Sequence, residues 1–210
     1  MDRARRQIST TALLLMVFAT VGAAVVGFTY DQTEDDISAN RQRVLIERLN
    51  TILPEDRHDN DLLKDSVTMP AVAMLGTTGN EQAYIARMTG EAVGIVLPVI
   101  APNGYNGSIY MLVGIYADGT IAGVRVTRHL ETPGLGDAIE DSRSDWILGF
   151  DGRSLQDPPG KRWKVKRDGG DFDQFTGATI TPRAVVKAVH AALVYFDENR
   201  DSLLAEKQEG

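Results

Sequence analysis

The sequence contains no cysteine. That absence excludes disulfides, thiolate zinc sites, cysteine-ligated iron–sulfur clusters and a Cys nucleophile together. Histidine is scarce as well. His58, His129 and His190 stand far apart with no HxxxH spacing, so no metal centre is expected. Bases are in deficit, 22 against 29 acids, for a formal charge of -7. Without surplus Lys and Arg to neutralise phosphates, the chain is not expected to bind nucleic acid. Hydrophobic residues make up 43% and charged residues 24%, so these absences do not reflect disorder. A chain of 210 residues holds one core of ordinary size, with room for an appendage. Any redox chemistry here needs a cofactor other than a cysteine-bound metal.

The appendage is visible at the start. From Ile8 to Tyr30 there is no charged residue. As a helix this stretch spans ~35 Å, enough to cross a bilayer core. Arg3, Arg5 and Arg6 precede it, and Asp31, Glu34, Asp35 and Asp36 follow. Basic flanks stay cytoplasmic, so residues 1–7 are expected inside, 8–30 across the membrane and the remainder outside. The competing reading is a cleaved signal peptide, whose apolar region is normally ~7–15 residues. The longer run here favours a retained anchor. Ala19, Ala23 and Gly27 share one helix face, a spacing that either admits a membrane partner or reflects ordinary composition. Removing residues 1–30 takes away three bases and one acid, leaving 19 bases, 28 acids and a net charge of -9.

Residues 31–66 read as a membrane-proximal helix and loop. Thr33 is a candidate N-cap, Ile37, Val44, Leu45, Leu49 and Ile52 recur on one face, and Pro54 ends the helix. Residues 67–210 read as an α+β domain. Candidate strands are Gln82–Met88, Ala92–Ile100, Ser108–Tyr116 and Thr120–Arg128, the last two joined by a two-residue Asp118-Gly119 hairpin. A twisted, mostly antiparallel sheet with flanking helices is therefore expected. A short helix is expected from about Asp137 and a short strand over Arg162–Lys166. A final helix should run from Pro182 to about Glu206, with Thr181 as N-cap.

The most informative stretch is Asp173-Gln174-Phe175-Thr176-Gly177-Ala178-Thr179-Ile180-Thr181-Pro182. It is a small-residue turn entering a helix. A helix start offers unpaired N–H groups and the positive end of the dipole, which suit a phosphate. Gly177 and Ala178 leave room for one, and Thr179 offers a hydroxyl beside it. On physics alone, a plain capped helix explains the same residues.

Asp173-x-x-Thr176-Gly177-Ala178-Thr179 resembles the flavinylation motif of the bacterial FMN-binding domain family, Asp-x-x-(Ser/Thr)-Gly-Ala-Thr, at every defined position. In that family the last Thr carries FMN through a phosphodiester bond made by a dedicated flavin transferase. The resemblance thus implies a covalent FMN on Thr179, a phosphoryl-threonine. The runs Thr176–His190 and His129-Leu130-Glu131-Thr132-Pro133-Gly134-Leu135-Gly136-Asp137 are similar to the G subunit of the Rnf-type ion-translocating oxidoreductase complex. Together with the single N-terminal span, the likeness covers most of the chain. The related C subunit of the sodium-translocating NADH:quinone oxidoreductase shares the motif but is usually longer.

The resemblance implies a membrane-anchored electron carrier in a complex that links ferredoxin/NAD electron transfer to ion movement. Its flavin domain would be periplasmic, on the bacterial inner membrane, with other membrane subunits as partners. No complete catalytic site is expected in this chain. Asp173 and Thr176 are assigned to recognition and turn geometry. The Glu131–Gly136 turn is the candidate second wall: Gly134 and Gly136 permit close approach, Thr132 could bond the ring edge and Leu135 could cover the ring face. Glu131 either contacts the ring or ribityl chain or is solvated. The opposing hypothesis is a non-redox, membrane-tethered binding or scaffold module.

Overall fold

The computed structural model describes residues 2–205. Met1, in the expected cytoplasmic segment, and Glu206, the expected end of the last helix, lie outside the described residues. The chain divides into two compact units, 1–45 and 46–210.

The first unit lies within helix α1, Asp2–Ile52. Within it, Arg5–Glu34 is long and apolar enough to cross a membrane. Leu13, Leu14, Leu15, Val17, Phe18, Val21, Val25 and Val26 are all exposed, as suits a surface whose solvent is lipid. No separate helix begins at Thr33. Its hydroxyl donates to the Thr29 carbonyl, 2.8 Å away, from within α1. The reason is local: between Phe28 and Leu53 there is neither Gly nor Pro to break the helix, and Pro54 is the first residue that cannot continue it.

The second unit begins with the last turns of α1, from Ile46. Its sheet has five antiparallel strands in sequential order: β1 Ser66–Met69, β2 Glu81–Met88, β3 Glu91–Ala101, β4 Ile109–Tyr116 and β5 Ile121–Arg128. Four of these match the expected strands within a residue or two. The edge strand β1 is an addition, paired from Ser66↔Tyr84 to Met69↔Glu81. Four residues separate β4 from β5, and the bonded Tyr116–Thr120 pair leaves three of them in the loop rather than two. Tyr116 N–H bonds to the Thr120 carbonyl and Gly119 N–H to the Tyr116 carbonyl, with Gly119 at φ 90°. A turn closed by a glycine in the left-handed region explains this, since Asp-Gly serves a three-residue loop as well as the two-residue one.

The strands alternate between two buried faces. Ile95, Leu97 and Val99 of β3 and Met111, Val113 and Ile115 of β4 point to the main core, against helix α2, Ile180–Leu203. The opposite face carries Val96 and Leu112 and is glycine-lined where α1 ends. Gly114 pairs with Gly123, and a side-chain carbon on Gly114 would collide with Ile52. Leu49, Ile52 and Leu53 are fully buried there. Burying such side chains stabilises by about 1.5–3 kcal/mol each.

Between β5 and α2 the chain runs as short 3₁₀ turns at Gly136–Ile139, Asp145–Phe150, Gly160–Arg162 and Lys166–Asp168. The expected helix from Asp137 is thus a single 3₁₀ turn, and the expected strand over Arg162–Lys166 is absent. Only Val165 makes a bridge, to Phe172. This region is organised by aromatic packing instead. Phe150 stacks on Phe172 with centroids 4.7 Å apart, and Trp146 meets Phe150 and Phe175 edge-on at 5.3 and 5.1 Å. Trp163 is 4.9 Å from Phe172. Both tryptophans spend their N–H groups within the fold, Trp146 on the Asp173 carbonyl and Trp163 on the Ser154 carbonyl.

Candidate functional site

The Asp173–Pro182 stretch folds as a turn feeding α2. Ala178 N–H bonds to the Phe175 carbonyl at 3.2 Å, and Gly177 sits at φ 84°. That dihedral demands glycine at the third position of the turn. Helix α2 then begins two residues earlier than expected. Thr179, not Thr181, is the N-cap, and it makes no side-chain cap bond. Its hydroxyl is left for other use. The N–H groups of Ile180 and Thr181 belong to the first turn, where no carbonyl within the helix can accept them. Pro182 is third in the helix, where its missing N–H is still one of those orphans.

Thr181 has another role. It is fully buried, and its hydroxyl donates a hydrogen bond to Glu131 Oε2. Glu131 is therefore not solvated; it is 5% exposed. Its other oxygen accepts the Asn106 N–H at 3.1 Å. The Glu131 N–H donates to His129 Nδ1 at 3.0 Å. Since that ring nitrogen accepts, His129 carries its proton on Nε2 and donates it to Glu140 Oε1 at 2.6 Å. The His129 bond holds the Glu140 carboxyl below the usual range, aided by Ser142. His129 thus supports the turn rather than facing a ligand.

These contacts close a cleft of about 360 Å³. Its walls are the Glu131–Gly136 turn, with Glu131, Thr132, Leu135 and Gly136, and the helix entry, with Gly177, Ala178, Thr179, Ile180 and Thr181; Tyr105 joins from the β3–β4 loop. The two wall turns, about 45 residues apart in sequence, meet where Gly177 lies against Leu135: an added methyl there would sit 3.4 Å from Leu135 Cδ2. Tyr105, Leu135 and Ile180 are 65%, 43% and 46% exposed and form an apolar rim.

Seven of the ten sequence candidates thus come together: Thr179, Gly177, Ala178, Glu131, Thr132, Leu135 and Gly136. Gly134, Asp173 and Thr176 do not line the cleft. Gly134 holds φ 77° with nothing near its Cα face, so it shapes the turn. The Asp173 carboxylate pairs with Lys166 at 2.7 Å. Three lining residues are not among those candidates. In the sequence Thr181 reads as a cap and Ile180 as the approach to a helix. Tyr105 lies in a turn whose Pro102-Asn103-Gly104 signal concerns only punctuation.

The sequence aligns end to end with known proteins. The G subunit of the ion-translocating oxidoreductase complex of Pseudomonas aeruginosa PAO1 is 48% identical over 209 residues, covering 99% of this chain and 98% of that protein. The chain belongs to the family of G subunits of ion-translocating oxidoreductase complexes. The counterpart in Vibrio atlanticus is 49% identical over 199 residues, covering 95% of each. The FMN-binding domain family matches residues 104–194 and the RnfG N-terminal region matches residues 1–52. The first match contains both walls of the cleft, and the second takes in the whole of α1. Among solved structures, Shewanella oneidensis NqrC aligns with a TM-score of 0.48 and 24% identity, over 72% of this chain and 81% of that one.

The residues of the cleft fit an FMN. An uncommitted hydroxyl stands at the start of a long helix, beside the helix's unpaired N–H groups. Gly177 leaves the approach open, and the rim is apolar enough to lie against a flat ring.

Proposed function

We propose that this chain is a membrane-anchored flavoprotein subunit that carries electrons within an ion-translocating oxidoreductase complex, with FMN bound covalently at Thr179. The observation that carries the attachment is the position of Thr179: it caps α2 yet leaves its hydroxyl unbonded at the cleft. When bound, FMN supplies one- and two-electron redox chemistry. The chain's own residues hold and surround it. Thr179 Oγ1 provides the phosphodiester oxygen, and the Ile180 and Thr181 N–H groups at the positive end of α2 stabilise the remaining phosphate charge. Leu135, Ile180 and Tyr105 supply apolar surface, and Thr132 offers a hydroxyl at the ring edge. Asp173 and Thr176, on the outer side of the turn, serve recognition by a flavin transferase. That enzyme must supply the base, because a threonine hydroxyl is too weak an acid to attack unaided.

Residues 8–30 are the retained anchor of a single-pass protein of the bacterial inner membrane. Arg3, Arg5 and Arg6 keep residues 1–7 cytoplasmic, and the FMN-binding domain, residues 67–210, lies in the periplasm. Covalency suits that side, because free FMN would be lost by dilution and a tether fixes its local concentration.

The test is in-gel flavin fluorescence under denaturing conditions after coexpression with a flavin transferase. The wild-type band should fluoresce and Thr179→Val should not, while its thermal stability stays within ~0.5 kcal/mol, because no cap bond is lost. A wild-type chain with no fluorescence and no added FMN mass would sink the assignment. Fluorescence retained in Thr179→Val would move the attachment elsewhere.

A further inference from the structure

Glu131 is buried, with 5% of its surface exposed. The carboxylate sits between two glycines. A methyl on Gly104 would lie 2.8 Å from Oε1, and one on Gly136 would lie 2.7 Å from Oε2. One oxygen accepts from the Asn106 backbone and the other from the Thr181 hydroxyl. Three segments distant in sequence are thereby tied together: the β3–β4 loop, the Glu131–Gly136 turn and the first turn of α2. Among the described residues, no Lys, Arg or His side chain forms an ion pair with it. A buried carboxylate with no cationic partner is costly, and here only the Asn106 N–H and the Thr181 hydroxyl offset that cost. Here it lines the same cleft as Thr179.

We infer that Glu131 is a positioning residue whose uncompensated charge holds the flavin potential low. The inference rests on the proposed FMN at Thr179. Reduction of the oxidised ring takes two electrons from a partner redox centre of the complex and one proton from solvent. The ring thereby gains one unit of negative charge. A fixed carboxylate in the same low-dielectric cleft disfavours that gain. The Thr181 hydroxyl moderates the effect by donating to the carboxylate.

Two substitutions in the full-length, flavin-loaded chain separate charge from structure. Glu131→Gln is isosteric. Its amide oxygen accepts from Asn106 N–H and its amide nitrogen donates to Thr181 Oγ1, so the tie survives and the charge is lost. The equilibrium ratio of reduced to oxidised flavin at a fixed potential should rise about tenfold, or ~30 mV for a two-electron couple. Thr181→Val keeps the charge and deletes its donor, so the ratio should fall, by about twofold or more. Opposite signs from two changes at one contact are not what a merely structural tie would give.

Spectroelectrochemical titration of the three proteins reads this directly. A Glu131→Gln potential equal to wild type, or shifts of the same sign in both variants, overturns the inference. If Glu131→Gln fails to fold, Thr181→Val decides alone: a lowered ratio supports the inference, and an unchanged or raised one refutes it. A wild-type chain without the fluorescent band removes the FMN reading itself. A fluorescent wild type with unshifted variants removes only the role of Glu131.

Discussion

Replacing Gly136 with Ala tests how tightly the two cleft walls are joined. The added methyl would lie 2.7 Å from Glu131 Oε2, 2.9 Å from Glu131 Cβ and 3.0 Å from Thr181 Oγ1. None of these can swing away, because Glu131 and Thr181 are buried and bonded to each other. Either the backbone of the turn moves outward or the carboxylate leaves Thr181. Overpacking of this kind costs about 1–3 kcal/mol, and losing a hydrogen bond to a charged group costs about 1.5–3 kcal/mol. Since the substitution relieves one by incurring the other, about 2–3 kcal/mol is expected. For a unit spanning residues 46–210, each kcal/mol moves the melting temperature by about 2–4 °C, so the loss should be about 4–12 °C. The control is Gly149→Ala. That glycine has no atom within 4 Å of an added methyl and no positive φ, so Ala there is neutral or slightly stabilising. Thermal unfolding of the detergent-solubilised full chain, followed by circular dichroism, compares the two. Gly136→Ala melting within ~1 °C of Gly149→Ala would refute the claim that the walls are locked through Glu131 and Thr181.

Further outcomes follow from the same structure. Phe150→Ala removes a fully buried ring from the aromatic group that organises residues 145–175. It should cost about 3–5 kcal/mol, and chemical denaturation showing less than ~1 kcal/mol would mean that this group is not what holds the region. Burial pushes the His190 imidazole below its ordinary 6.5, so the unfolded chain binds the proton more readily than the folded one. Stability should be full above about 6.5, decline as pH falls through that value and level off below the folded pKa. His190→Gln should flatten the melting temperature between pH 7.5 and pH 5 relative to wild type. Equal slopes would show that His190 titrates alike in both states.

Particular residues show what can and cannot be read along the chain. The strands are legible because Val, Ile and Tyr runs between Gly and Asn turns fix alternation locally, and the sheet places them within a residue or two of expectation. The edge strand β1 is not, because four residues leave no periodicity to detect and its partner β2 supplies the pairing. Thr33 and Thr181 fail as caps for opposite reasons. Around Thr33 no helix breaker exists, so α1 runs through. At Thr181 the Thr-Pro pair imitates a helix start, but the hydroxyl is taken by Glu131, 50 residues away. The motif marks Gly177, Ala178 and Thr179 as one wall of the cleft. Asp173 and Thr176 belong to the same motif yet are exposed and do not line the cleft, and the Asp173 carboxylate pairs with Lys166 instead.

The missing cysteines and the long uncharged run at the N-terminus are properties of composition and order, so the sequence alone determined them. It excluded thiolate redox centres, supplied a helix long enough for a bilayer, and set Thr179 two residues after a glycine in a turn that enters a helix. The tertiary structure brought the Glu131–Gly136 wall against Thr179 and buried Glu131 within it. Both depend on the sheet bringing the β5 exit and the start of α2 together, and on burial that removes water from the carboxylate. Such contacts join residues too distant for any local pattern to encode.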